Sequence, residues 1–346
     1  MTFSHKTTLW FLFFFRGTWV SCEEEDGYGR CHQVDPANKD QTGPTKSRVT
    51  DIVGYPGGWE AFAWDDEDSP PRGYVTDDCE IEDAPLCWGA LNRFTPDDAA
   101  MLCYTGTTKA ERMCTLDSGT HEYLKLEPYG GVGNCGTISW VATPEESSAA
   151  MMRKSEGIDI TDRVMRFVSK KDHLFFEVDL ESQTYCQWST LEGFPQQPDN
   201  IRFLGDTLYF CTDGLTPNGL YGLNKEGYFP LLFEIDYQSE VAGVDFTPDE
   251  KMIYLSFQNN AIWQFWREDG LAFSDNNDKI CYKSDDGAVQ DMGEVLEPMV
   301  EDVAAEVCEE KLEQAMGPKN ETEDDAAVSK KRQAVVGRKE KKKRGE

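Results

Sequence analysis

Ile158, Ile201 and Val244 recur at intervals of 43 residues, and each belongs to a set of short apolar or alternating runs separated by Asp, Lys, Ser and Gly. One set covers residues 157–160, 164–169, 174–180 and 184–188, and the next repeats the order over 200–203, 207–212, 220–223 and 228–234. Runs of this length between turn formers read as strands. A period in the low forties with four strands per unit is what a β-propeller blade requires. A third unit follows from Val244-Asp245-Phe246-Thr247-Pro248-Asp249 through 252–257 and 261–266. An earlier one is read over 59–64, 73–76, 90–94 and 101–105, followed by a loop-rich insertion to about Ala150. With opening strands near Trp19, four to five blades are legible. The expected fold class is all-β: a propeller of the six-bladed type, incomplete at its N-terminus.

The flanks differ in character. Lys6 and the apolar run 9–15 resemble a short secretory signal that Arg16 interrupts, and seven apolar residues cannot span a bilayer. Residues 1–16 are therefore read as a non-native start or weak signal segment, and 17–273 as the propeller. In the acidic segment 274–316, Val289, Met292, Val295, Leu296, Met299, Val300, Val303 and Val307 lie at helical spacing, giving an amphipathic helix bent at Pro298. The polar, then basic segment 317–346 is expected to be disordered.

Charge narrows the partners. The chain carries a formal −30, yet residues 330–346 hold nine Lys or Arg against two Glu, leaving −37 on the first 329 residues. A body of that charge repels nucleic acid and anionic membranes and favours cations. Eleven cysteines lean towards an oxidising compartment, hence a secreted or extracytoplasmic location. Cys22 with Cys31, Cys79 with Cys87, and Cys103 with Cys114 are the local pairings to expect. No Cys-x-x-Cys or His-rich pattern points to structural zinc.

Several residues could carry chemistry. Gly17-Thr18-Trp19-Val20-Ser21-Cys22-Glu23-Glu24 joins a β-rich run directly to a thiol and carboxylates, placing soft and hard metal ligands at one strand end. Glu60, Glu156, Asp199 and Glu240 recur at similar places in successive units, as carboxylates aimed at one centre would. Each has a plainer reading. Cys22 could be a disulfide partner or a buried thiol. Glu60 and Glu156 could be exposed strand-end charges, and Glu240 is the least informative taken alone. Asp199-Asn200 and Asp213-Gly214 are ordinary turn formers.

The run from Gly17 to Glu24, with Gln33-Val34-Asp35-Pro36, resembles the signature of PhoX-type secreted alkaline phosphatases and their uncharacterised relatives. So do Trp59-Glu60-Ala61-Phe62-Ala63, Val75-Thr76-Asp77-Asp78, Arg93-Phe94-Thr95-Pro96, Pro198-Asp199-Asn200, Thr212-Asp213-Gly214, Glu240-Val241-Ala242-Gly243, Phe246-Thr247-Pro248-Asp249 and the segment 267–273. The resemblance implies a six-bladed propeller that hydrolyses small phosphomonoesters at an iron and calcium cluster in its channel. On that basis Cys22 is similar to the iron-binding thiolate, with Glu60, Glu156 and Glu240 as metal-binding carboxylates. Asp199, Asn200 and Asp213 resemble calcium ligands, and Glu23 is a further candidate. Two positions depart from the pattern. Lys154, with Arg153 before it, stands where relatives grip phosphate with arginine, and Gln258-Asn259 stands where they have glutamine followed by histidine. The expected function is a metal-dependent phosphoesterase, with Lys154 and Arg153 as catalytic candidates. The alternative is a non-catalytic calcium-binding propeller that acts as a binding or structural module.

Overall fold

The computed structural model describes residues 12–35, 47–80, 82, 87–131, 133–214, 217–225, 227–233, 239–258, 261–267 and 269–275. The expected C-terminal helix, the basic tail and Asn259 lie outside them.

Strand polarity and two-residue turns organise the chain locally. In the third unit, Asp162 and Arg163 both adopt positive φ, 51° and 58°, the twist a tight hairpin needs. That turn joins β11 (Ser155–Thr161) to β12 (Val164–Ser169), which continues into β13 (Leu174–Asp179) and β14 (Thr184–Ser189) as an antiparallel meander. Phe167 and Phe176 are cross-strand partners whose rings stack at 4.6 Å.

The same pattern recurs around the molecule. The first unit comprises β1 (Leu12–Phe15), β2 (Thr18–Cys22), β4 (Cys31–Val34) and β5 (Ser47–Val49), while β3 (Glu24–Gly29) leaves it to pair with β6. The second runs through β6 (Gly57–Asp65), β7 (Arg72–Asp77), β8 (Asn92–Pro96), β9 (Gly119–Pro128) and β10 (Cys135–Val141), and β10 also pairs with β14. The fourth holds β15 (Gln197–Leu204), β16 (Thr207–Asp213), β17 (Gly219–Asn224) and β18 (Gly227–Phe233). In the fifth are β19 (Val241–Phe246), β20 (Met252–Phe257) and β21 (Ala261–Trp266).

The first strands β6, β11, β15 and β19 lie side by side in that order, so each sheet radiates outward from a common centre. This is a β-propeller architecture. The apolar core fills the wedges between neighbouring sheets. Phe15, Val20, Trp59, Phe62 and Val75 pack one wedge; Ala61, Leu124, Ile158 and Phe167 pack the next; Val168, Phe194, Ile201 and Phe210 follow; Tyr209, Val241, Leu255 and Phe273 fill the last. Each Val, Leu, Ile or Phe side chain so buried is worth about 1.5–3 kcal/mol.

Three sequence expectations change. Residues 12–15, placed outside the domain, form a strand of the first sheet, and Phe15 is buried in its core. Residues 101–105, read as a strand, belong mostly to the helix α1 (Asp98–Tyr104). Asp97 caps that helix by accepting from the Ala100 N–H at 2.9 Å, and a capping carboxylate followed by Asp-Ala-Ala outweighs the short apolar run. The stretch read as an insertion to Ala150 contains β9 and β10, because the Cys135–Cys186 disulfide and the pairing of β10 with β14 order it.

Candidate metal centre

A register shift interrupts the first strand of each of the second to fifth sheets. It falls between Trp59 and Phe62 in β6, Ser155 and Ile158 in β11, Pro198 and Ile201 in β15, and Val241 and Gly243 in β19. Glu60, Glu156 and Asp199 lie inside the first three of these bulges, and Glu240 immediately precedes the fourth. A bulge turns a side chain out of the alternation of its strand. Here it frees acidic residues from the rule that would face them into a wedge or along a sheet.

The carboxylates converge. One oxygen from each of Glu60, Glu156 and Asp199 lies within 4.8 Å of the other two, and the same holds for Asp199, Asp213 and Glu240. Asp199 therefore belongs to both triads. Glu60, Glu156 and Asp199 are buried, at 2, 2 and 1 % exposure. Burial raises the pKa of Glu60 well above the usual carboxylate range, and Glu156 and Glu24 add repulsion. Asp199 is raised by burial and by the Glu240 charge. For Glu156 burial acts first and Asp78 second, against a lowering pull from Lys170.

Two ammonium groups enter this acidic space. Lys170, on the turn after β12, places Nζ 2.9 Å from Asp213 Oδ2 and 3.2 Å from Glu156 Oε1. Burial would lower its pKa, but Glu156, Asp199, Glu240 and Asp213 outweigh this and hold the charged form. Lys154 Nζ lies 3.3 Å from Asp78 Oδ1, and that partner likewise outweighs desolvation. Glu24, at the start of β3, completes the group. It keeps exposed surface yet stands among protein on several sides, and burial together with Asp78 brings its pKa to about 7. Among the described residues, seven carboxylates thus meet two lysines.

Oxygens remain without donors. Among the described residues, Glu60 Oε2 and both oxygens of Asp199 are buried without a hydrogen-bond partner. Glu240 lies close enough to Asp199 that the two carboxyls hydrogen-bond only when a proton sits between them. Buried anionic oxygens left in this way favour either protonation or a bound cation. Two ligands on opposite sides of a calcium ion stand about 4.8 Å apart, and neither triad spreads beyond that limit. The donor set is all oxygen, which suits calcium.

The sequence-derived candidates divide. Glu60, Glu156, Asp199, Asp213 and Glu240 come together; Asn200 is buried beside Asp199 on β15. Cys22 does not join as a thiolate, because it is bonded to Cys31 across the β2–β4 pair. The iron expectation therefore loses its sulfur ligand. Glu23 is engaged elsewhere: its carboxylate lies 3.2 Å from His32 Nε2 and accepts the Arg30 N–H. Its neighbour Glu24 takes the position instead, a shift of one residue that reverses the face of a strand. Arg153 is engaged by Asp172, which accepts its Nε–H at 2.9 Å and its backbone N–H at 3.1 Å. Sequence reading missed Glu24, Asp78 and Lys170. Asp78 ends the Val75-Thr76-Asp77-Asp78 motif, where nothing local sets it apart from Asp77, and nothing local distinguishes Lys170 from the adjacent Lys171.

Fold and site together define a β-propeller protein with an acidic centre. No protein-family model and no curated protein matches the chain. Solved structures resemble it in fold. A chain from a crystal structure of the mitotic checkpoint complex is 9 % identical with a TM-score of 0.37, over 74 % of this chain and 62 % of that one. A putative 6-phosphogluconolactonase from Bacteroides uniformis is 12 % identical with a TM-score of 0.39, over 74 % and 66 %. The chain thus spans less than two thirds of the length of both.

Proposed function

We propose that this protein is a calcium-binding propeller that holds hard divalent cations at the centre where its first strands meet. The observation that carries the reading is the set of buried, donorless oxygens on Glu60 and Asp199 within triads of ligand spacing. Calcium would be held by Glu60, Glu156 and Asp199 on one side and by Asp199, Asp213 and Glu240 on the other. Four disulfides among the described residues support an oxidising, extracytoplasmic setting. No helix among those residues is long and apolar enough to cross a membrane.

A second reading is phosphomonoester hydrolysis, the activity that the resemblance to PhoX-type phosphatases implies. Asp199 favours it, since a carboxylate common to two triads sets two cation positions next to each other. Paired cations supply charge to the attacking and leaving oxygens of a phosphoryl group. Lys154 pairs with Asp78, feels the charge of Glu156, and would meet phosphate as a point charge, without the bidentate fork of arginine.

Elemental analysis of purified protein, followed by thermal unfolding with calcium or chelator, tests the first reading. Bound calcium and a higher melting temperature in its presence are expected; a protein that neither retains nor responds to any divalent cation refutes it. Chelator-sensitive release of phosphate from 4-nitrophenyl phosphate would support the second reading. Cation binding without turnover would leave the first alone.

A further inference from the structure

The ammonium of Lys170 links the two triads. It contacts one member of each, Glu156 Oε1 at 3.2 Å and Asp213 Oδ2 at 2.9 Å, and the side chain is only 15 % exposed. Its backbone is fixed, since the Lys170 N–H donates to the Lys154 carbonyl at 2.9 Å. Its four-carbon stem retains rotational freedom. The fit to the carboxylates is incomplete: Glu156 Oε1 lies within ion-pair distance but makes no hydrogen bond, and Glu60 Oε2 and the Asp199 oxygens receive nothing. An ammonium in this position is a partial substitute for a cation with more coordination sites.

A divalent ion on Glu156 or Asp213 would stand within a few ångströms of that ammonium. Like charges so close in a poorly solvated space repel strongly. Either the ion stays out or the lysine leaves. We infer that Lys170 is a tethered competitor: its ammonium bridges the two triads when no cation is bound, and an entering divalent cation displaces it. This inference rests on the cation-binding reading above and adds a consequence to it. The lysine sets the affinity of the centre, keeping it below what the carboxylates alone would give, and couples cation entry to movement of the turn side chain after β12.

The test uses the whole chain, with calcium as the probe. Calorimetric titration of the unaltered protein and of Lys170→Met should show the variant binding calcium roughly tenfold more tightly or more, while being less heat-stable in chelator. Lys170→Arg, which keeps the charge, should remain near the unaltered affinity. Acetic anhydride labelling of the unaltered protein, read by mass spectrometry, should modify Lys170 several-fold faster with calcium than with chelator, and this measurement requires no variant to fold. If the unaltered protein binds calcium while Lys170→Met binds no more tightly and Lys170 labelling is unchanged, the competitor role is overturned and the site stands. If neither protein binds a divalent cation, both fall.

Discussion

A Cβ on Gly157 would lie 2.4 Å from the backbone nitrogen of Ile201 and 2.7 Å from the Cα of Asn200. The first strands of the third and fourth sheets therefore meet backbone to backbone beside Glu156 and Asp199. No flexible side chain is available to yield, since the clashing atoms are main chain. Gly157→Ala is expected to destabilise the fold by about 1–3 kcal/mol through overpacking. Because the strands must separate, it should also weaken calcium binding. Chemical denaturation and calcium titration of the variant check both effects; unaltered stability would show that the strands do not approach this closely.

Asp199 concentrates the repulsion of the centre, standing in both triads with neither oxygen hydrogen-bonded. Asp199→Asn removes the ionisable group at nearly constant volume. The cation-free variant is expected to melt no lower than the unaltered protein, whereas the rise in melting temperature on adding calcium should be largely lost. A calcium response of undiminished size would remove Asp199 from the site. A drop in both conditions would assign the side chain a purely structural part.

The blades were legible because their signal is periodic. Val164–Ser169 follows directly, and Thr207–Asp213 to within one residue, from short apolar runs and the turns beside them. Glu60, Glu156, Asp199 and Glu240 were legible for the same reason, recurring once per unit at or near the start of each first strand. What sequence could not supply was orientation. Glu23 and Glu24 differ by one position, and only the shifted pairing of β3 with β6 decides which of them reaches the centre. Lys170 was hidden because its partners Glu156 and Asp213 come from different strands, one of them in another sheet. Cys22 illustrates a motif with two chemistries, of which pairing with Cys31 across two adjacent strands is the one formed.

That disulfide separates stability from cation binding. Cys22 and Cys31 are buried in the wedge with Val20 and Trp59, and neither belongs to a carboxylate triad. Cys22→Ser is expected to cost roughly 2–4 kcal/mol of stability. Calcium affinity at a temperature where the variant is folded should stay within about twofold of the unaltered protein. A large loss of bound metal at unchanged stability would restore the sulfur of Cys22 to a ligand role.

The acidic centre also fixes how stability varies with pH. Glu24 has its pKa raised from 4.5 to about 7 by burial and by Asp78. Asp77 is raised from 3.8 to about 6 by burial, although it accepts hydrogen bonds from Tyr55 and from the Gly58 and Gly89 N–H groups. A carboxyl with a folded-state pKa above its unfolded value holds its proton more tightly in the native chain. Stability from such groups is present below pH 3.8 to 4.5 and is lost as pH rises through about 6 and 7. His121 works in the opposite direction, since burial lowers its pKa and unfolding then takes up a proton. Against it stand Glu24, Asp77 and the raised carboxyls of Glu60, Glu156 and Asp199. In chelator the melting temperature is therefore expected to fall between pH 5 and pH 8. Calcium should flatten or reverse that slope, because a bound cation favours the ionised carboxylates it displaces protons from. Differential scanning fluorimetry across this range, with and without calcium, measures both slopes. A melting temperature that climbs with pH in chelator would mean that the carboxylates at the centre are already neutralised by their lysines, leaving no electrostatic demand for a cation.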